Sequence, residues 1–100
     1  TLEHAGDTDT NALYRIADGG AEAMEFTVSP NTRNLGVALQ DLRLKPNILI
    51  AVLVREQEII IPEGSTAMQA GDRVIVISKD SGIRDLNDIY RDEVPVGGAQ

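Results

Sequence analysis

Three short apolar runs between residues 47 and 78 commit this chain to a fold built on a small sheet. The first, Asn47-Ile-Leu-Ile-Ala-Val-Leu-Val54, is apolar at nearly every position and rich in β-branched side chains. It is too short for a bilayer span, and its pattern predicts a strand covered on both faces. Arg55-Glu56-Gln57-Glu58 interrupts the apolar sequence before Ile59-Ile60-Ile61, which Pro62 stops. A polar connection of four residues predicts an antiparallel hairpin. Gly71-Asp72 then turns the chain into Arg73-Val-Ile-Val-Ile-Ser78, a third strand of the same quality.

The rest of the chain reads as material that covers this centre. Residues 1–10 are polar and acidic without an apolar period, which predicts a linker or frayed terminus. Residues 11–16 and 21–28 alternate about Asp18-Gly19-Gly20, a second hairpin in which Met24, Phe26 and Val28 share one side. Asn34 is a candidate cap for a short helix with Leu35, Ala38, Leu39 and Leu42 at i, i+3, i+4 and i+7. Lys45-Pro46 would end it. A second short helix is predicted over residues 82–90, capped by Asp80 or Ser81, with Ile83, Leu86 and Tyr90 on one stripe. The domain therefore spans residues 11–91, and residues 92–100 read as a disordered tail. The fold class is α+β: a small, largely antiparallel sheet of about five strands, two hairpins plus one strand, with two short helices on one side.

One hundred residues make one domain, and no apolar run approaches a membrane span. The chain does not begin with Met, which fits a piece of something longer. It has no cysteine, hence neither disulfides nor thiolate metal ligands. A formal charge of −7 argues against a nucleic-acid partner, which asks for a clustered basic face.

Catalytic chemistry finds no foothold. His4, the single histidine, lies in the polar N-terminal stretch where nothing would hold its ring. Asp7-x-Asp9-x-Asn11 resembles the start of a calcium loop, but Ala12 stands where that loop needs Gly and Asp18 where it needs Glu. Asp85, Asp88, Asp92 and Glu93 read as a solvated helix face, with Arg84 and Arg91 beside them. No glycine sits at a phosphate-cradling spacing. The combination that stands out is Arg43, Lys45 and Asn47, polar heads bordering an apolar surface. They read first as ordinary polar groups at the end of a helix and the start of a strand, with the rim of a small-ligand seat as the second reading. A sheet greasy on both sides also needs more cover than two short helices supply, which predicts a symmetric dimer.

These runs also carry a family resemblance. Leu35-Gly36-x-x-Leu39-x-x-Leu42-x-Leu44, Asn47-Ile48-Leu49-Ile50-x-x-x-Val54-Arg55, Ile59-x-Ile61-Pro62-x-Gly64-x-Thr66 and Gly71-Asp72-x-Val74-x-Val76 together resemble the TrkA C-terminal domain, the smaller lobe of RCK units. Leu13-Tyr14-Arg15-Ile16-x-Asp18-Gly19 and Glu22-Ala23-Met24-Glu25-Phe26 are similar to the second such lobe of Trk potassium-uptake regulators. The resemblance implies a cytoplasmic, non-enzymatic regulatory and dimerisation domain, held at the inner face of the membrane through a potassium channel subunit. It implies an upstream Rossmann-type lobe that binds ATP, ADP or NAD(H). It also implies cyclic di-AMP as a ligand across the dimer interface, with Arg43, Asn47, Ile48 and Pro62 at the family's contact positions. The sequence departs from that pattern in a shorter stretch between Arg43 and Asn47, and in Gly64, which has no side-chain donor. Leu35, Leu39, Ile48 and Ile50 are the residues assigned to the dimer interface. The same domain occurs in cation/proton antiporters and divalent-anion transporters, and a purely structural dimerisation module is the further alternative.

Overall fold

A computed structural model describes residues 10–80 and 82–91. Five strands, β1 (Thr10–Ile16), β2 (Ala21–Thr27), β3 (Ile48–Arg55), β4 (Glu58–Ile60) and β5 (Arg73–Ser78), form one sheet in the order β1-β2-β5-β3-β4. Every neighbouring pair is antiparallel. Both expected hairpins are present, and β5 is inserted between them, so the third apolar run is the central strand. The β3–β4 connection is tighter than the four residues expected. Glu56 and Gln57 form a two-residue turn with φ of 54° and 75°, the doubly positive geometry that matches strand twist.

Alternation along the strands sorts the sheet into two unlike faces. On one, Met24 and Phe26 oppose Val76 and Val74, and across β5 these meet Ile50 and Leu53. All six are buried. Met68, Ile83, Leu86, Ile89 and Tyr90 close this core from above, and Leu35, Leu39, Leu42 and Leu44 pack partly buried against it. Each fully buried large apolar side chain contributes about 1.5–3 kcal/mol.

The covering layer is where the sequence reading needs correction. In place of two short helices there are 3-10 turns at Leu39–Asp41 and Leu86–Ile89. The leucine spacing was read as a helical stripe, but the backbone around it bonds elsewhere. Gly36 N–H donates to Met68 C=O at 3.0 Å, Leu39 N–H to Thr66 C=O at 2.8 Å and Gln40 N–H to Gly64 C=O at 3.0 Å. Farther on, Lys45 N–H donates to Ile89 C=O at 2.8 Å and Arg91 N–H to Arg43 C=O at 2.9 Å. Segment 36–45 is thus tied on one side to residues 64–68 and on the other to 89–91. Asn34 and Gly36, at φ of 65° and 79°, break any helical run, and so short a helix nucleates poorly. The cap of the second turn is Asp85, not Asp80 or Ser81, and Ser81 lies outside the described residues. Asp85 accepts from Asn87 N–H while Asp88 reaches back to the cap's own N–H, a reciprocal capping box.

The opposite face of the sheet carries exposed Tyr14, Leu49 and Ile59 and has no cover from the described residues. The residues 47–54 run is consequently not roofed on both sides: Leu49 is 59% exposed. Thr10, read above as the last linker residue, instead opens β1 opposite Phe26; residues 1–9 and 92–100, the rest of that linker and the tail, lie outside the described residues, as does His4.

Candidate functional site

β3 is eight residues long, but β4 pairs only with Leu53, Val54 and Arg55. The Asn47 end of β3 is therefore left without a β4 partner, a notch at the sheet edge; Asn47 and Ile48 lie at this end, and Arg43 on the strip that precedes it. Arg43 is exposed on the strip that precedes β3, its carbonyl held by Arg91 N–H. Asn47 is exposed and left-handed at φ 69°, and its carbonyl accepts from Lys79 N–H at 3.1 Å. Asparagine tolerates this conformation better than other residues with a β-carbon. Ile48 pairs with Ser78 and packs half-buried against the core.

Pro62 is half-buried in the loop that follows β4. β4 runs antiparallel to β3, so the chain leaving Ile60 heads back toward the Ile48 end. The loop is then fastened to the covering strip by the hydrogen bond from Gln40 to Gly64. Asp72 secures the far end of the same loop. It accepts from both arms of Arg55 and from Gln69 N–H. Burial alone would push its carboxyl up. The Arg55 hydrogen bonds, the Gln69 N–H and the guanidinium charge together hold it below its ordinary value.

The structure adds Lys79 and Arg91 to this end of the molecule, neither of which the sequence reading placed there. The Lys79 backbone bonds Asn47 and the Arg91 backbone bonds Arg43, so with Lys45 four of the nine basic residues gather here in an acidic chain. Strand register could have revealed Lys79, because it follows Ser78, the partner of Ile48. An apolar floor with a cationic rim is chemically suited to a ligand that carries rings and phosphates.

The four residues assigned to a dimer interface lie on the core side of the sheet. Ile50 is 7% exposed within the chain's own core, and Leu35, Leu39 and Ile48 are partly buried against it. Asp85 and Asp88 use their carboxylates on backbone N–H groups.

A model of the TrkA-C domain matches residues 23–91, from β2 through the last covering segment. The chain belongs to the TrkA-C domain family. It is 32% identical over 80 residues to Trk system potassium uptake protein TrkA homolog 2 of Methanosarcina mazei, covering 80% of this chain and 18% of that protein. It is 38% identical over 78 residues to the TrkA homolog of Archaeoglobus fulgidus, covering 78% of this chain and 18% of that one. With the Pyrococcus abyssi homolog the identity is 31% over 71 residues, 70% of this chain and 31% of the relative. The TrkA-C chain therefore spans about a fifth to a third of the length of these relatives. Among its described residues, no helix is long and apolar enough to cross a membrane.

Proposed function

We propose that this chain is a regulatory, non-catalytic lobe of a potassium-uptake system of the Trk type. The observation that carries the reading is the family match over residues 23–91, the segment that contains the core and the notch. In this reading the lobe pairs with a second copy, follows a Rossmann-type lobe in a longer protein, and acts in the cytoplasm on a membrane channel subunit. The notch takes a cyclic dinucleotide such as cyclic di-AMP. Arg43 and the neighbouring cations face its phosphates, Asn47 addresses a polar edge, and Ile48 and Pro62 bracket a base. Gating then follows from differential affinity: a ligand that binds one arrangement of two lobes better draws the population toward it. A coupling of about 1–3 kcal/mol gives a 5- to 150-fold change.

Titration calorimetry with cyclic di-AMP, on the parent chain and on Arg43→Ala and Asn47→Gly, tests the ligand half. Heat that both variants reduce supports it. No heat from the parent at high ligand concentration removes it and leaves the second reading, a purely structural dimerisation module, which the exposed Tyr14, Leu49 and Ile59 on the outer sheet face favour.

A further inference from the structure

The two edges of the sheet are guarded differently. β1 carries the exposed Arg15, a register shift between Thr10 and Ala12, and the Arg84 carbonyl, which accepts from Thr10 N–H at 3.2 Å. Charge, irregular register and a covering segment keep an edge strand from pairing further. On the other edge, β4 covers β3 only at Leu53, Val54 and Arg55. From Ile48 to Val54, β3 carries no charged side chain, and its register shift lies beyond Ile50.

Pro62 accounts for the short cover. It stands two residues beyond Ile60 and has no N–H with which to extend the ladder. The chain then leaves the sheet, because residues 64–68 bond the strip at 36–40, whose Leu39 packs on the core.

The backbone at the start of β3 faces the gap so left. Lys79 N–H donates to Asn47 C=O at 3.1 Å, so the Asn47 position bonds toward β5. Bonded and non-bonded positions alternate along an antiparallel pair, which turns the N–H and C=O of Ile48 and Ile50 away from β5. Their side chains stay against the core. Their outward backbone groups take no partner among the described residues.

We propose that this edge of β3 receives a short, extended, acidic segment of a partner protein, added as a strand. The N–H and C=O groups of Ile48 and Ile50 hold its main chain, the mode in which a sheet edge captures a peptide. Leu49, 59% exposed, offers an apolar neighbour to one of its side chains. Charge selects an acidic guest. Between Asp41 and Glu56 every charged residue is basic, and Arg43 and Lys45 precede Asn47 directly. Lys79 joins them through its backbone bond to Asn47. The whole chain carries −7, so an acidic segment is repelled from most of the molecule and drawn to this corner. The inference goes beyond the functional reading above: it uses backbone groups that the dinucleotide does not, and it stands whether or not cyclic di-AMP binds.

Amide hydrogen exchange of the chain, followed by nuclear magnetic resonance, is the test. The probes are the end-blocked peptide Glu-Val-Thr-Val-Glu, the same peptide with every backbone amide N-methylated, and Lys-Val-Thr-Val-Lys. At millimolar concentration the first is expected to slow exchange at Ile48 and Ile50 at least about fivefold, with Leu49, already bonded toward β5, unchanged. The other two are expected to leave Ile48 and Ile50 as they are. Lys79→Gln, at an exposed position, is expected to weaken the acidic peptide about two- to fivefold, as loss of an exposed ion pair does. Unaltered exchange with the acidic peptide, or equal slowing by its N-methylated form, overturns strand addition. Equal slowing by the acidic and basic peptides overturns the acidic partner. Slowing that grows with protein concentration in the absence of peptide gives the edge to a second copy and overturns the inference.

Discussion

Arg55 grips Asp72 through two parallel hydrogen bonds, Nε to Oδ1 at 2.9 Å and Nη2 to Oδ2 at 2.8 Å. The same Nη2 also donates to Ala67 C=O at 2.9 Å. Asp72 is 2% exposed, so its charge depends on these partners. Removing Arg55 leaves a buried carboxylate with only the Gln69 N–H to answer it. Arg55→Ala is expected to cost about 3–5 kcal/mol, the range for breaking one side of a buried pair. Arg55→Lys recovers the charge but not the fork, and should fall in between. Urea unfolding of the three proteins checks both statements.

The same pair fixes the acid limit of stability. The Asp72 carboxyl is held below its ordinary value in the fold, so between the folded and unfolded values the unfolded chain binds more protons. Stability from this group is full above about pH 4 and drains away as pH falls through the folded value. Midpoints measured between neutral pH and pH 2 should show that acid loss in the parent and much less of it in Asp72→Asn. An equal slope in the two proteins would refute the assignment.

The sheet was legible because hydrophobic period and turn residues speak directly for strands. The sequence puts Met24, Phe26 and Val28 on one side of the 21–28 stretch, and all three are buried. The covering layer was not legible, because Leu35, Leu39 and Leu42 have a helical spacing that an irregular strip also satisfies. What decides between them is a set of hydrogen bonds to residues 64–68, almost thirty positions away, and no local pattern encodes those. The Glu56-Gln57 turn was missed for a related reason: neither residue is the Asn or Gly that announces positive φ. At the notch, Ile48 opens β3, Asn47 precedes it and Arg43 lies on the strip before them. Lys79 arrives there only through strand register.

Asn47 combines a proposed ligand contact with a left-handed backbone, and the two roles separate by substitution. Asn47→Gly removes the side chain and suits φ of 69°, so thermal stability should stay within about 0.5 kcal/mol of the parent. Asn47→Val forces a β-branched residue into the same conformation at a cost of about 1–2 kcal/mol. Scanning calorimetry without ligand distinguishes them. If the Gly variant melts as early as the Val variant, the side chain and not the backbone is what stabilises this corner.

Gly64 lies under the side chain of Gln40. A β-carbon there would approach Gln40 Oε1 to 2.5 Å but Gln40 Cβ only to 3.4 Å, so the obstacle is the flexible amide. Gly64→Ala should therefore cost at most about 1 kcal/mol, while Gly64→Ala combined with Gln40→Ala should match or exceed the parent. Alanine in that pair also lowers the entropy of the unfolded chain, worth about 0.4–1 kcal/mol. A double-mutant cycle in urea reads the coupling, and additive effects would mean that the two residues do not meet.

Tyr90 ties the last covering segment to the Arg33 loop in two separable ways. Its hydroxyl donates to Arg33 C=O at 3.0 Å, and the Arg33 guanidinium lies 4.9 Å from the ring centroid. Tyr90→Phe keeps the ring under the cation and loses the hydrogen bond, an expected loss of about 1 kcal/mol. Burial also raises the hydroxyl above its ordinary value near 10, so in alkali the unfolded chain loses this proton first. Stability from Tyr90 is complete below about pH 10 and declines as pH rises from there toward the folded value. Unfolding curves at pH 8 and pH 11 should therefore converge for parent and Tyr90→Phe at the higher pH, and a gap of constant size would place the hydroxyl in water.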